Sequence, residues 1–293
     1  MTLDPFGVTE LYPTTGGGKE WFCNWQSGAL RYIPNGNTGI YDATDTDFGI
    51  LLGSTREPLR VSCGEAHIKN YGEYRLFVNG PWTNTEMTIF ARIRDTSTSS
   101  IQLRGRANHH GVGLEPYASE IREVLPADSP QGVADVNSCG FGNYFVRWGQ
   151  STNPLDFVDV GLEIIHELYV LNLGVVDPYD IPNDDWIGYK MVVRTLANGH
   201  VKIEGYNNMN ADKTTWTLAT EYDFDGSNAP VSAPNLALWQ EFEDYCADKG
   251  DMIGGDVNAN QLFLDPAKWN FVRINTATRV DLKYMSVREI VPF

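Results

Sequence analysis

One stretch of the sequence, IQLRGRANHH at residues 101–110, alternates apolar with polar residues. Successive side chains of a β-strand point to opposite faces, so the polar residues at even positions are expected to share one face. These residues are Gln102, Arg104, Arg106, Asn108 and His110. An arginine can hold a carboxylate through two parallel hydrogen bonds. The pattern therefore predicts either a groove for an anionic ligand or an ordinary solvated strand face.

A second group of charged residues belongs to a predicted hairpin. The dipeptide Asn198-Gly199 separates two alternating runs, at 187–195 and 200–206, and Asn-Gly suits a type I′ turn. The two runs should therefore pair as antiparallel strands. Their polar faces carry Lys190, Arg194, Lys202, Glu204 and Tyr206. Basic residues on the sheet faces of an acidic protein favour an acidic polysaccharide as the ligand.

The apolar run VDVGLEIIHELYV at 158–170 contains the polar residues Glu163 and His166. Buried polar side chains need partners, so these residues predict either a structural network or part of a site. In an unbroken strand Glu163 and His166 face opposite sides, and a shared role requires a bulge between them.

Alternation of period two recurs along most of the chain and predicts about ten strands. Only LALWQEFEDYCAD at 236–248 has helical spacing, within an insertion at about 223–265. No repeat and no Pro- or Ser-rich linker divides the sequence, so residues 1–293 are expected to form a single domain. The spacing of the strands favours an all-β, two-sheet sandwich with one short inserted helix.

The composition excludes several classes of function. The 293 residues include 38 acidic and 22 basic ones, and the net charge of −16 argues against nucleic-acid binding. No apolar run approaches the roughly 18 to 20 residues that span a bilayer. The start, at residues 1–5, lacks the pattern of a signal peptide. We expect a monomeric, secreted domain whose leader is absent from this chain.

The four cysteines are widely spaced and form no CxxC or Cys/His motif for zinc. They are Cys23, Cys63, Cys139 and Cys246. Their number and spacing predict either at least one disulfide or four buried small side chains.

Several stretches form a pattern when taken together in their order along the chain. They are the Arg/Gly strand leading into His109-His110, CGFGNYFVRW at 139–148, VDVGLEIIHELYV at 158–170, WIGYKMVVRTLANGHVKIEGYNN at 186–208 and VDLKYMSVREI at 280–290. This set resembles the glucuronan lyase family, polysaccharide lyase family 20, and a related secreted protein of cellulose-degrading fungi. The similarity covers roughly residues 85–210 and the last 25.

The resemblance implies a concanavalin-like jelly roll with a glycan cleft on its concave sheet. It also implies cleavage of a uronate polymer by β-elimination, which requires a group that neutralises the carboxylate and an acid/base pair. The resemblance implies Tyr144, His166 or Tyr206 as base and acid. It implies His110 or His109, with Gln102, Arg104 or Arg106, for binding and neutralising the carboxylate, and His110 and Tyr206 are the first choices for catalysis. The charged strand faces add Arg147, Lys190, Lys202 and Glu204 as candidate substrate-binding residues. A structural calcium near the chain ends could use Glu10, Asp42 and Asp281 as oxygen ligands.

Two other functions suit the same fold. A non-catalytic carbohydrate-binding module would rely on aromatic platforms such as Trp148. A glycoside hydrolase would need two carboxylates across a cleft, for which Glu163 and Glu204 are the candidates. A structural, capsid-like protein is a third class. The basic strand faces favour the lyase, because they suit an anionic substrate.

Overall fold

Every regular element in the described part of the chain is a β-strand. The computed structural model describes residues 2–25, 31–33, 48–52, 59–69, 73–94, 99–107, 143–150, 156–165, 168–226, 267–275 and 279–292. The predicted helix at 236–248 lies outside these residues. Within them, no helix is long and apolar enough to cross a membrane.

The first sheet has nine strands among the described residues. They are β1 (Glu20–Cys23), β2 (Arg31–Ile33), β4 (Leu59–Ser62), β5 (Glu65–Lys69), β7 (Thr85–Ile93), β12 (Ile187–Thr195), β13 (Val201–Asn208), β14 (Thr217–Phe224) and β16 (Arg279–Glu289). Their order is β14-β13-β12-β7-β16-β5-β4-β2, and β1 also pairs with β16. All of the pairings are antiparallel.

In the same part of the chain, the second sheet has seven strands, again antiparallel. They are β3 (Phe48–Leu52), β6 (Glu73–Trp82), β8 (Ser99–Ala107), β9 (Asn143–Gln150), β10 (Phe157–Ile165), β11 (Leu168–Val176) and β15 (Ala267–Asn275). Their order is β11-β10-β9-β8-β15-β6-β3. Strand β12 packs over β8 and β9, and β13 packs over β9 and β10, so the sheets lie face to face.

The chain crosses repeatedly between the two sheets. Strand β15 enters the second sheet between β8 and β6, and β16 enters the first sheet between β7 and β5. Such crossings, with strands distant in sequence made neighbours, are the jelly-roll arrangement. The predicted all-β, two-sheet jelly roll is therefore confirmed.

The inner faces of the two sheets form the hydrophobic core, which includes Ile89, Leu103, Val146 and Ile203. The sheets pack tightly at Gly205 on β13, where a Cβ atom would lie 2.6 Å from Val146 Cγ1. A residue without a side chain is therefore required at this point of the core.

The predicted hairpin exists, but its turn differs from the prediction. Strands β12 and β13 pair antiparallel, and Thr195 lies opposite Val201 at the end next to the turn. The amide of Gly199 donates to the Leu196 carbonyl at 2.9 Å, and Gly199 has φ 86° while Asn198 is not among the residues with positive φ. The connection is therefore a type I turn closed by a left-handed glycine, rather than a type I′ turn.

The run at 157–170, read from the sequence as one strand, is two strands. Glu163 on β10 lies opposite Tyr169 on β11, so the chain reverses between them. Apolar residues on both sides of the reversal hid it, because no Gly, Pro or Asn marks a turn there.

Candidate functional site

The N-terminal segment, residues 2–19, lies across the outer face of the first sheet. Lys190 Nζ on β12 donates to the Thr9 carbonyl at 2.6 Å. The amide of Tyr12 donates to the Glu86 carboxylate on β7 at 3.0 Å. The chain itself therefore covers the centre of this face.

An ion-pair network fills the face beneath this segment. Lys190 Nζ and Arg288 Nη2 contact the same Glu86 oxygen, at 2.5 and 3.0 Å, and Arg288 also lies 3.4 Å from Glu10. Lys190 and Glu86 are each 1% exposed. Burial lowers the pKa of Lys190, although the charge of Glu86 opposes this shift. Lys190, predicted to bind substrate, is thus enclosed by the protein.

Glu204 and Tyr206 on β13 form a second cluster with the N-terminal segment. The hydroxyls of Tyr12 and Tyr206 donate to Glu204, at 2.8 and 3.3 Å, and Arg194 Nε donates to it at 3.1 Å. Burial, together with the neighbouring Glu204 charge, raises the pKa of Tyr206. A tyrosine with a raised pKa keeps its proton at neutral pH, so Tyr206 is unsuited to remove a proton from a substrate.

The outer strands of the same sheet carry two surface pairs. Lys202 Nζ lies 2.7 Å from Glu221 on β14. His200 Nδ1 lies 2.9 Å from Asp223, also on β14. Lys202 is thus part of an exposed ion pair in the structure.

Arg104 and Gln102 share the outer face of the second sheet, as predicted. Arg104 Nη2 donates to Gln102 Oε1 at 2.6 Å, and its guanidinium packs on the rings of Phe145 and Phe271. The ring of Phe145 in turn lies over Gly161, where any side chain would collide with it. Arg104 is 1% exposed, so this side chain is packed into the face.

Arg147, on the same outer face, binds its carboxylate within the protein. Its Nε and Nη2 donate to the two oxygens of Asp159, at 2.9 and 2.7 Å, and its guanidinium packs on Phe157. The fork geometry that sequence reasoning assigned to a uronate is thus used for an internal aspartate.

A bulge on β8 removes Arg106 from this face. Arg106 has φ 51°, and the pairing of β8 with β15 shifts at this point. Its guanidinium donates to the Thr83 carbonyl at 2.8 Å and to Thr195 Oγ1, in the other sheet, at 2.8 Å. Burial lowers the pKa of Arg106 to about 10. The prediction that Arg106 shares a face with Arg104 is therefore wrong. Alternation also gives no ground for placing His110 on the face of Arg104, because the bulge lies between them.

Two aromatic candidates belong to the core. Tyr144 is fully buried and packs on Phe224, and the buried indole of Trp148 donates to Asn207 Oδ1 at 2.7 Å. Neither side chain can contact a polysaccharide in this structure. Four further candidates, His109, His110, His166 and Asp42, lie outside the described residues.

The candidates therefore do not line one cleft. Gln102 and Arg104 lie on the outer face of the second sheet, whereas Glu204 and Tyr206 lie on the outer face of the first, with the core between them. The proposed hydrolase pair is divided in the same way, because Glu163 lies on β10 of the second sheet.

The predicted calcium ligands are also apart. Glu10 contacts Arg288, and Arg288 lies opposite Glu86 on β7. Asp281 lies opposite Arg92, which is six residues further along β7. Six residues of strand span about 20 Å, so Glu10 and Asp281 cannot bind one ion. The structure does not bring Glu10 and Asp281 together, Asp42 lies outside the described residues, and a structural calcium stays a prediction.

The buried carboxylate of Asp281 is the centre of a different cluster. His67 Nδ1 lies 2.8 Å from Asp281 Oδ1, while Arg92 Nη2 and Arg94 Nε donate to Oδ2 at 2.8 and 2.5 Å. The other nitrogen of the imidazole, Nε2, lies 3.1 Å from Ser62 Oγ. Burial disfavours ionisation of Asp281, but these hydrogen bonds outweigh it and lower the pKa of this carboxyl.

Lys283 lies beside this cluster, two residues along β16. Its Nζ is 3.9 Å from the centroid of the Trp186 ring and 5.6 Å from that of Tyr284. Among the described residues, no carboxylate lies within ion-pair distance of Lys283. Partial burial lowers its pKa, although the nearby Glu65 charge opposes this. We call the surface that these groups form the Asp281 patch: Ser62, Glu65, His67, Arg92, Arg94, Trp186, Asp281, Lys283 and Tyr284.

The Asp281 patch also holds the donors of a conceivable metal site. Glu65, His67 and Asp281 each offer one ligand atom, all within 4.8 Å of one another. Both nitrogens of His67 are already engaged, however, and two guanidinium groups occupy the second oxygen of Asp281. The donor set therefore suits hydrogen bonding better than a cation.

Sequence reasoning missed most of the Asp281 patch, although one signal was present. Alternation in VDLKYMSVREI places Asp281 and Lys283 on one face. Nothing in the sequence indicates that residues near 62, 92 and 186 join them, because this depends on sheet order.

Comparison with known proteins gives no family for this chain. No protein-family model and no curated protein match it. Among solved structures, it is similar to a galectin-like protein of unknown function from Bacillus subtilis, with 11% identity, a TM-score of 0.44, and coverage of 97% of this chain and 100% of that one. It is also similar to the laminarinase from Rhodothermus marinus, with 13% identity, a TM-score of 0.42, and coverage of 89% and 99%. At these values the similarities carry no functional conclusion, and the relation to polysaccharide lyase family 20 stays a prediction.

Proposed function

We propose that the protein binds an acidic polysaccharide at the Asp281 patch. The observation that carries this proposal is the position of Lys283, an ammonium without a carboxylate partner among the described residues, beside Trp186 and Tyr284. Partly desolvated charges without a partner are typical of ligand sites. A uronate carboxylate would supply the missing negative charge.

The surroundings of Lys283 suit a sugar ring as well as its carboxylate. Trp186 and Tyr284 are half-buried, so part of each aromatic side chain reaches the surface. Aromatic side chains offer large, rigid apolar contacts with a polar edge, which suits a pyranose ring. Arg92 and Arg94 are also half-buried beside Lys283, and both already bind Asp281.

Carboxylates of the protein already neutralise the two arginines of the Asp281 patch: both bind Asp281, and Arg92 lies 3.6 Å from Glu65 while Arg94 lies 3.7 Å from Asp184. The net charge of −16 repels a polyanion at long range, so binding must come from short-range contact with Lys283. Salt should therefore weaken the short-range attraction and, at the same time, screen the general repulsion.

Cleavage of the polysaccharide, by elimination or by hydrolysis, stays a separate prediction. In the described residues the hydroxyls of Tyr12 and Tyr206 both donate to Glu204, and Glu163 and Glu204 lie in different sheets. Binding is the function that the described residues support best.

A binding panel tests the proposal. Glucuronan, alginate, pectate and ulvan are compared with neutral laminarin by calorimetry, while ultraviolet absorbance and reducing ends are followed in the same mixtures. We expect binding of uronate polymers only, and at least about tenfold weaker binding by Lys283→Gln. Lys19→Gln is the matched control, because Lys19 also lies over an indole, that of Trp82, away from the patch. Equal binding by both variants would contradict the proposal. A rise in absorbance would show lyase chemistry in addition.

A further inference from the structure

We propose that Ser62, His67 and Asp281 form a catalytic triad that hydrolyses carboxylic esters. This activity is distinct from polysaccharide binding. Only the nature of the natural substrate, an ester-substituted glycan, rests on the proposed function.

The hydrogen bonds of these three residues have the order that a serine hydrolase requires. Ser62 Oγ lies 3.1 Å from His67 Nε2, and His67 Nδ1 lies 2.8 Å from Asp281 Oδ1. One nitrogen of the imidazole thus faces the hydroxyl while the other is held by a carboxylate. Triads occur on unrelated folds in different chain orders, so geometry identifies them rather than sequence.

The backbone fixes this geometry through three adjacent strands. Ser62 ends β4, and the turn at Cys63 and Gly64, with φ 55° and 78°, returns the chain into β5. His67 on β5 then lies directly opposite Asp281 on β16. Because regular strands set these positions, the three side chains are held without a mobile loop.

The solvent exposure of the three side chains suits their proposed roles. The Asp281 side chain is 0% exposed and the His67 side chain 29% exposed, while Ser62 is half-buried. The orienting carboxylate is thus shielded from water while the reacting groups reach the surface. Hydrogen bonds from Arg92 and Arg94 keep Asp281 ionised, so its carboxylate can stabilise the imidazolium that forms on His67.

Two chemical steps complete the reaction. Ser62 Oγ attacks the ester carbonyl carbon, and its proton passes to His67 Nε2; the bond to the alcohol oxygen breaks, and the alcohol leaves with that proton. Water then attacks the acyl group on Ser62. His67 takes a proton from this water and returns one to Ser62 Oγ as the acid leaves.

The position of the triad next to Lys283 indicates the kind of ester. Two strand spacings separate β4 from β16, which amounts to about 10 Å, or roughly the length of two sugar residues. A polyuronate held at Lys283 would therefore present ester groups of neighbouring sugars to Ser62.

Hydrolysis of p-nitrophenyl acetate tests the triad without any glycan. We expect Ser62→Ala and His67→Gln to lower kcat/KM at least about 100-fold. His200→Gln is the matched control, because His200 forms the same kind of bond to an aspartate at an exposed edge of the sheet. Cys63→Ala is a second control, since the exposed thiol of Cys63 could itself accept an acyl group. Both controls should keep the wild-type rate.

A fluorophosphonate probe gives an independent readout, and mass spectrometry should find it on Ser62. Turnover that is unchanged in Ser62→Ala, lost in Cys63→Ala, or abolished by EDTA would overturn the proposal. The two proposals fail separately. A wild-type protein that binds glucuronan but does not hydrolyse p-nitrophenyl acetate would overturn the triad alone, whereas hydrolysis that depends on Ser62 without any binding of glucuronan would overturn the proposed function alone.

Discussion

The carboxylate of Glu86 and the ammonium of Lys190 form an ion pair in which each side chain is 1% exposed. The pair lies on the outer face of a sheet, where solvent would normally reach it. It is buried because residues 2–19 cross the face and supply the Thr9 carbonyl as a further partner for Lys190.

Removing the charge of Glu86 should destabilise the fold strongly. Glu86→Gln leaves Lys190 and Arg288 buried without their common partner, and we expect a loss of about 3–5 kcal/mol in the free energy of unfolding. Lys190→Met should cost less, because Arg288 still neutralises Glu86. Urea unfolding followed by tryptophan fluorescence measures both. Equal midpoints for Glu86→Gln and the wild type would show that the pair does not stabilise the protein.

A methyl group at Gly205 should separate the sheets locally. Gly205→Ala places a Cβ 2.6 Å from Val146 Cγ1, and we expect a cost of about 1–3 kcal/mol. Gly16→Ala is the matched control, because nothing lies within 4 Å of a Cβ there. Thermal unfolding of the two variants compares them directly. A Gly205→Ala protein that melts with the wild type would mean that the sheets can move apart freely.

The lowered pKa of Asp281 predicts a stability change in acid. A carboxyl whose pKa is lower in the folded state stabilises that state fully above its ordinary pKa of 3.8, and the contribution disappears as the pH falls through the lower folded value. Unfolding of the wild type and Asp281→Asn should therefore differ near pH 7 and converge in strong acid. A difference that stays constant down to pH 2 would contradict this account.

The lowered pKa of Lys283 predicts an alkaline limit to glycan binding. The ammonium must be charged to hold a carboxylate, and burial lowers its pKa below 10.5, so binding should weaken before the pH reaches that value. Lys283→Arg should extend binding to higher pH, because arginine stays protonated. Calorimetric titration with glucuronan between pH 7 and 10.5 gives both profiles. Identical pH profiles would place the titrating group elsewhere.

Local patterns predicted much of the secondary structure. Alternation located β7, β8, β9, β12 and β13, because each has one face against the core. It failed where the backbone leaves ideal geometry. The bulge at Arg106 changes which face of the sheet the following side chains point to. The residue types around Arg106 give no sign of this bulge, because they are those of a regular strand.

The candidate site was largely out of reach of the sequence. Predicting it required the knowledge that β16 lies between β5 and β7, which brings Asp281 to His67 and Arg92. Likewise, the coverage of Lys190 and Tyr206 depends on residues 2–19, whose sequence shows no strong pattern. A basic strand face looks the same in sequence whether it meets a ligand, solvent or another part of the chain.

The place of β16 also affects how the protein is made. Strands β5 and β7 are joined in the first sheet only through β16, which the ribosome synthesises almost 190 residues after β7. Until then the nascent chain exposes two unpaired strand edges, which are templates for pairing with other chains. Folding that waits for such distant contacts is intrinsically slow. We therefore expect the yield of native protein to depend on how well chaperones shield those edges during synthesis.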